Sequence, residues 1–266
     1  MPGDFAQRVA VGVPAAAVAV VLIVLGGTPF ALTALFLGGA AMGELWRMYE
    51  RVNPVKLAGF VALLAFVASA RFGGEHQVLL TSVAVFPVLF GLALTTATHS
   101  GGPSMTARMA LTALGIYWIG FAVAHAVLLR ELPHGRDIMI NVLIGTFIGD
   151  SGAYLGGRAL GRRKLAASIS PNKTIEGLAI GMVTAIVSIE IAALYQVWLD
   201  FEHALYLGIA VAVAAPIGDL FESQVKRDAR TKDAGRLFGV HGGALDRLDA
   251  AFFALIAGYY VWGAML

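Results

Sequence analysis

SQVKRDARTKDAGRLFGVHGGALDRLD, running from Ser223 to Asp249, sits between two long apolar segments. It gathers six cations, four acids, a His241-Gly242-Gly243 turn and an Asp246-Arg247-Leu248-Asp249 run within 27 residues. Neither a lipid-facing span nor an ordinary connection needs that density of charge. The sequence on either side fixes the fold class. The chain is 58% hydrophobic and 14% charged, with a mean hydropathy of +0.78, whereas a soluble domain carries about 45–50% apolar residues. These values predict an all-α polytopic integral membrane protein, and the charged stretch places polar chemistry at one membrane face.

The 266 residues leave room for about nine spans of roughly 20 residues each and little else. The apolar segments predict spans near 9–26, 29–46, 57–70, 77–97, 109–129, 137–157, 175–199, 203–222 and 250–266. One polytopic domain, 1–266, is expected, with generic spans over 1–135 and a motif-bearing half over 136–266 that would carry any catalytic chemistry. The first stretch reads as an anchor helix rather than a removed signal, because it runs into another span with no small-residue cleavage site. Alternating the loops between the two sides puts sixteen of the 19 lysines and arginines on the side of the N-terminus. The excess of cations marks the cytoplasmic side. An inner-membrane location is therefore expected, with the N-terminus and both large polar loops, 158–174 and 223–249, cytoplasmic and the C-terminus external.

Carboxylates near hydrocarbon cost several kcal/mol unless paired, which makes each a functional hypothesis. Asp150, Asp219 and Glu222 lie near the cytoplasmic ends of their spans. Helical spacing places Asp219, Glu222, Ser223 and Lys226 on one face, and Asp246 and Asp249, three apart, project together at the start of the last span. The chain has no cysteine, so a metal must be held by oxygen or imidazole. Oxygen pairs beside basic loops suit Mg²⁺, which takes one or two carboxylates together with waters and phosphates. A bland alternative is that these acids only neutralise Lys226, Arg227 and Arg247. The second polar loop carries Asp150-Ser-Gly-Ala-Tyr154, then Arg162, Arg163 and Lys164, then Ser170-Pro-Asn-Lys-Thr-Ile-Glu-Gly177. Pro171 stops a helix, and Ser170, Thr174 and Glu176 are good residues to begin the next, where backbone amides and Lys173 could receive an anion. The nearby Gly156, Gly157 and Gly161 fit close helix packing better than ligand binding.

These motifs carry a resemblance. Ser223, Lys226, Arg227, Lys232, Asp233, Gly235, His241, Gly242, Gly243, Asp246, Arg247 and Asp249 match the signature of the phosphatidate cytidylyltransferase family position by position. The segments 150–154 and 170–177 resemble that family's other polar segment. Two positions depart from it: Gly239-Val240 stands where Pro-Gly usually precedes the His-Gly-Gly, and Ala244 replaces a larger apolar residue. The match covers roughly the C-terminal 120 residues with specific motifs.

The resemblance implies transfer of a cytidylyl group from CTP to phosphatidic acid, giving CDP-diacylglycerol and pyrophosphate. It implies Asp219, Asp246, Lys226 and Arg227 as catalytic residues. Metal would be held by Asp219, Asp246, Asp249 and Asp150, as Mg²⁺ with or without a second cation. Substrate contacts would fall to Ser223, Lys232, Asp233, His241, Gly242, Gly243, Arg247, Ser170, Lys173, Thr174 and Glu176. Lys226 and Arg227 are expected to serve CTP, and Lys173 phosphatidic acid. The expected partners are CTP, phosphatidic acid and membrane lipids, not nucleic acid, with a homodimer left open. Two other readings stand beside this one. A related CTP-dependent enzyme would act on an isoprenoid or ether-lipid phosphate. An ion-coupled transporter would use Glu44, Asp150 and Glu190 as its path, but transport gives no reason for two clustered phosphate-binding loops.

Overall fold

The computed structural model describes residues 14, 16–96, 102–235, 237 and 242–266. It is built almost entirely of helices: α1 (Ala16–Leu25), α2 (Gly27–Met48), α3 (Lys56–Phe72), α4 (Gly74–Thr95), α5 (Met105–Gly115), α6 (Phe121–Glu131), α7 (Gly135–Leu160), α8 (Ile175–Ala193), α9 (Phe201–Asp228) and α10 (Leu245–Gly263). A π-helical stretch, Ile116–Gly120, joins α5 to α6. Each expected span meets a helix. Among the described residues, however, only six helical stretches are long and apolar enough to cross a membrane: α2, α4, the continuous Met105–Glu131, α7, α8 and α9. The helix α3 stops at 17 residues, α10 carries Asp246, Arg247 and Asp249 in its opening turns, and α1 is described over ten residues.

Two other departures concern the loops. The purely α expectation misses a hairpin, β1 (Lys164–Ala166) paired antiparallel with β2 (Ser170–Thr174). Strands of three and five residues are too short to show a period. The polar segments are also more helical than their composition suggests. Helix α9 continues to Asp228, six residues beyond the expected end of its span, because Glu222 and Lys226 pair at i,i+4 and Lys226 and Arg227 suit the negative end of the helix.

The chain forms two compact units, Met1–Leu128 with Thr231–Leu248, and Leu129–Arg230 with Asp249–Leu266. In the first, Trp46 is buried and replaces missing side chains on two neighbours: a Cβ on Gly59 would fall 2.6 Å from its ring, and one on Gly115 2.5 Å away. Arg108 is buried. It donates to the Asn53 carbonyl (2.8 Å), the Thr96 carbonyl (2.9 Å) and the Thr96 hydroxyl (3.0 Å). A buried guanidinium is tolerated because its donors are matched. His125 is packed within the unit, its Nδ1 2.8 Å from the Phe121 carbonyl.

In the second unit α7 lies against α8 along a small-residue seam. A Cβ on Gly149 would approach Ala185 Cβ to 2.9 Å, one on Gly181 would approach Ala153 Cβ to 2.7 Å, and one on Gly156 would meet Ile180 at 2.6 Å. Small residues let the two backbones close up, as helices do in lipid. The far end of this unit is tied by a reciprocal amide pair, Asn141 with Gln196 (2.8 and 3.0 Å). Beside it His134 stacks on Trp198, and the Trp262 indole donates to the Pro133 carbonyl. Asp200 caps α9 by accepting from the His203 amide (2.9 Å), and that bond holds its carboxyl below the usual range.

Candidate active site

Asp150 lies fifteen residues into α7 and Asp219 eighteen residues into α9. At 1.5 Å per residue Asp150 lies about 14 Å along α7 from Asn141 and Asp219 about 27 Å from the start of α9, so both stand away from the aromatic and amide cluster, towards the other end of the unit. Between them is a cavity of about 520 Å³. Asp150, Arg158, Ser170, Lys173 and Asp219 line its polar part, and Gly145, Ala185, Val211 and Ala212 its apolar part. Pro216, one turn before Asp219, also borders it. Proline has no amide hydrogen, so the preceding turn of α9 lacks one backbone bond beside the cavity.

The hairpin delivers the cationic side of this cavity. Lys173, on β2, forms an ion pair with Asp219, and both side chains are a little over one quarter exposed. The Arg227 guanidinium at the end of α9 donates to the Ile169 carbonyl in the hairpin turn (3.0 Å). The Arg163 carbonyl accepts from the Ile175 amide (2.9 Å) and fastens the other strand to α8. Glu176 accepts from the Arg162 and Arg163 amides (3.0 and 3.1 Å) and from the Arg163 guanidinium (3.3 Å). Thr174 caps α8 through the Gly177 amide (3.1 Å). The Glu176 and Thr174 oxygens are thus engaged in shaping the hairpin and the helix start. Ser170 and Thr174 reach the cavity wall as well.

Two further carboxylates of this unit lie close by. Asp249 is buried, and α10 meets α9 at this level: a Cβ on Gly218 would fall 2.5 Å from the Asp249 carbonyl. Glu222, almost wholly buried, holds the Lys226 ammonium at 2.5 Å. Ser223 is half-buried on the same helix. Lys173 therefore stands on the carboxylate expected to hold metal, which the spacing of motifs along the chain could not reveal.

The remaining signature residues belong to the other unit. There Asp246 accepts from the Ala234 amide (3.0 Å) and the Gly243 amide (2.8 Å), which ties both residues to the first turn of α10. Gly242 has φ +85°, a conformation that favours glycine. Lys232, Asp233 and Arg247 are exposed, and Thr231 donates to the Asp233 carbonyl. His241 lies outside the described residues. Among the described residues no three His, Asp or Glu side chains are gathered as a metal-binding group.

One residue of this unit was written in the sequence only as part of an ion path. Glu44 is 1% exposed, and its Oε2 accepts from the Leu245 amide (2.9 Å). The only sequence signal for it was an acid inside an apolar span.

The sequence of this chain matches the model described as the Cytidylyltransferase family over residues 6–265. It is 32% identical over 265 residues to the phosphatidate cytidylyltransferase of Bacillus subtilis (strain 168), covering 97% of both chains. The enzyme of the same name from Staphylococcus haemolyticus (strain JCSC1435) is 30% identical over 243 residues, covering 88% of this chain and 90% of the relative. That of Staphylococcus aureus (strain COL) is 29% identical over 238 residues, with 88% and 90% covered.

Proposed function

Because this chain belongs to the cytidylyltransferase family, we propose that it transfers the cytidylyl group of CTP to the phosphate of phosphatidic acid, making CDP-diacylglycerol. The observation that carries this reading is the cavity of the second unit, polar with Asp219, Lys173 and Arg158 in one part and apolar in the other. A lipid phosphate needs both within one site. A lipid-phosphate oxygen attacks the α-phosphorus of CTP, the bond from that phosphorus to the β-phosphate bridge breaks, and pyrophosphate leaves with the electron pair. The phosphate monoester is already an anion, so no side chain must deprotonate it. Positioning and neutralisation of charge supply most of the acceleration.

Lys173 and Arg158 neutralise the lipid phosphate at the cavity, while Lys226 and Arg227 stabilise the triphosphate and the departing pyrophosphate. Asp150 and Asp219 line the cavity as hard oxygen donors, Asp249 is buried where α10 meets α9, and the chain offers no thiolate; this donor chemistry suits Mg²⁺ held by one or two carboxylates, and when bound it would neutralise triphosphate charge. For Asp246 as a metal ligand, and for Ser223, Lys232, Asp233, His241, Gly242, Gly243 and Arg247 as substrate contacts, the assignment rests on the sequence motif. The chain is a membrane protein, and the segregation of its cations supports an inner-membrane enzyme that takes CTP from the cytoplasm.

Purified protein incubated with radiolabelled CTP, phosphatidic acid and Mg²⁺ is expected to place label in the lipid phase. Absence of labelled lipid with phosphatidic acid, together with labelling of an isoprenoid or ether-lipid phosphate, would replace the substrate.

A further inference from the structure

The motif glycines Gly235 and Gly243 are eight residues apart, yet both meet the same group. A Cβ on Gly235 would lie 2.1 Å from Glu44 Oε1, and one on Gly243 would lie 2.2 Å from Glu44 Oε2. The carboxylate of Glu44 occupies the space that two side chains of the signature would need. Glu44 comes from α2, is 1% exposed, and accepts from the Leu245 amide (2.9 Å). Its Oε1 has no hydrogen-bond partner among the described residues, and the exposed Arg47 guanidinium stands 3.9 Å away. Leu245 immediately precedes Asp246, which holds the Ala234 and Gly243 amides. Two carboxylates thus pin one segment: Asp246 closes it on itself, and Glu44 fixes it to the helix core.

We propose that Glu44 is a positioning residue for the cytidylyl-transfer reaction, holding the first turn of α10 so that Asp246 is presented in one orientation. This assignment rests on the transferase reading above. It also gives Gly235 and Gly243 a reason distinct from close approach to phosphate, since any larger residue would collide with the Glu44 carboxylate. Burying a carboxylate is costly, and the backbone bond from Leu245, strengthened by the charge of the acceptor, offsets part of that cost.

The test uses the full-length protein in detergent. Glu44→Ala is expected to lower kcat at least tenfold while leaving the KM for phosphatidic acid within twofold, because, among the described residues, Glu44, Leu245 and Asp246 are not part of the cavity lining. Glu44→Gln keeps an acceptor for Leu245 and should fall between parent and Glu44→Ala. If truncation prevents folding, Glu44→Gln carries the same kinetic comparison. Gly243→Ala should also lose at least tenfold, and adding Glu44→Ala should recover part of that loss, since the double variant removes the collision. Amide hydrogen exchange gives a readout independent of substrate: exchange at Leu245 should accelerate in Glu44→Ala even if the parent uses a different lipid phosphate. A kcat within twofold of the parent in both Glu44 variants, or unchanged exchange at Leu245, would overturn the proposal. A parent inactive on phosphatidic acid with faster exchange in Glu44→Ala would overturn the substrate reading instead.

Discussion

Lys173 and Asp219 form an ion pair that borders the cavity, and each is the other's nearest opposite charge. Replacing Asp219 with alanine strands the ammonium and removes the proposed metal ligand, so turnover should fall by orders of magnitude while detergent-solubilised protein keeps its helical circular dichroism. Lys173→Ala should reduce kcat about tenfold or more, as loss of a charge-assisted contact of about 1.5–3 kcal/mol requires. Steady-state kinetics with each substrate varied in turn would show it. Because Lys173 stands on Asp219, the effect should reach the dependence on Mg²⁺ as well as the KM for phosphatidic acid. Glu222 is a different kind of acid. It is buried against Lys226, whose side chain is only 14% exposed, so Glu222→Ala leaves an ammonium buried without its nearest carboxylate. The expected loss is about 3–5 kcal/mol of stability, read as earlier thermal aggregation. At this scale the sequence was informative about residue type and poor about partners. The helical spacing of Glu222 and Lys226 foretold their pairing. Nothing in the spacing joined Lys173 to Asp219, 46 residues away, or Glu44 to Leu245.

Among the elements, α7 and α8 show how little room the fold leaves. The seam of Gly149, Ala153, Gly181 and Ala185 brings backbone to backbone, and a Cβ on Gly181 would also approach the Gly149 carbonyl to 2.8 Å. Gly181→Val should therefore force the helices apart, destabilise by about 1–3 kcal/mol as overpacking does, and distort the cavity that both helices line. A lower melting temperature in detergent together with a raised KM for phosphatidic acid would register both effects. The spacing of Gly156, Gly157 and Gly161 pointed to close packing, and a Cβ on Gly156 would indeed meet Ile180 at 2.6 Å; the seam at Gly149 and Gly181 was not legible in the sequence. The hairpin was not legible in the same way, because 164–174 is short, charged and held by contacts with α8 and α9 rather than by its own pattern. Arg227 illustrates this: it reads as a nucleotide-binding cation, and it also buttresses the hairpin turn through Ile169.

Across the whole molecule, composition decided the class, and the apolar segments located the helices to within several residues. Two helices stand at the margin: α3, with 17 residues, is at the short end of what a bilayer span takes, and α10 opens with three charges. The segregation of cations supplies an independent test. A reporter fused after Leu266 is expected to behave as external, and one inserted at Gly235 as cytoplasmic. A cytoplasmic signal from the C-terminal fusion would require an even number of crossings.

The bond from Glu44 to Leu245 spans 201 positions, and that separation has a consequence in time. A ribosome adds roughly 5–20 residues per second, so α2 leaves the translation machinery about 10–40 s before its hydrogen-bond donor exists. For that interval the N-terminal helices hold a carboxylate whose anchor has not been made, which is a state that quality-control proteases in the membrane can recognise. A chain stopped after Arg230 keeps this state permanently. In a pulse-chase experiment such a truncated chain should be degraded markedly faster than the 266-residue protein, and Glu44→Leu in the truncated chain, which removes the stranded charge, should lengthen its lifetime.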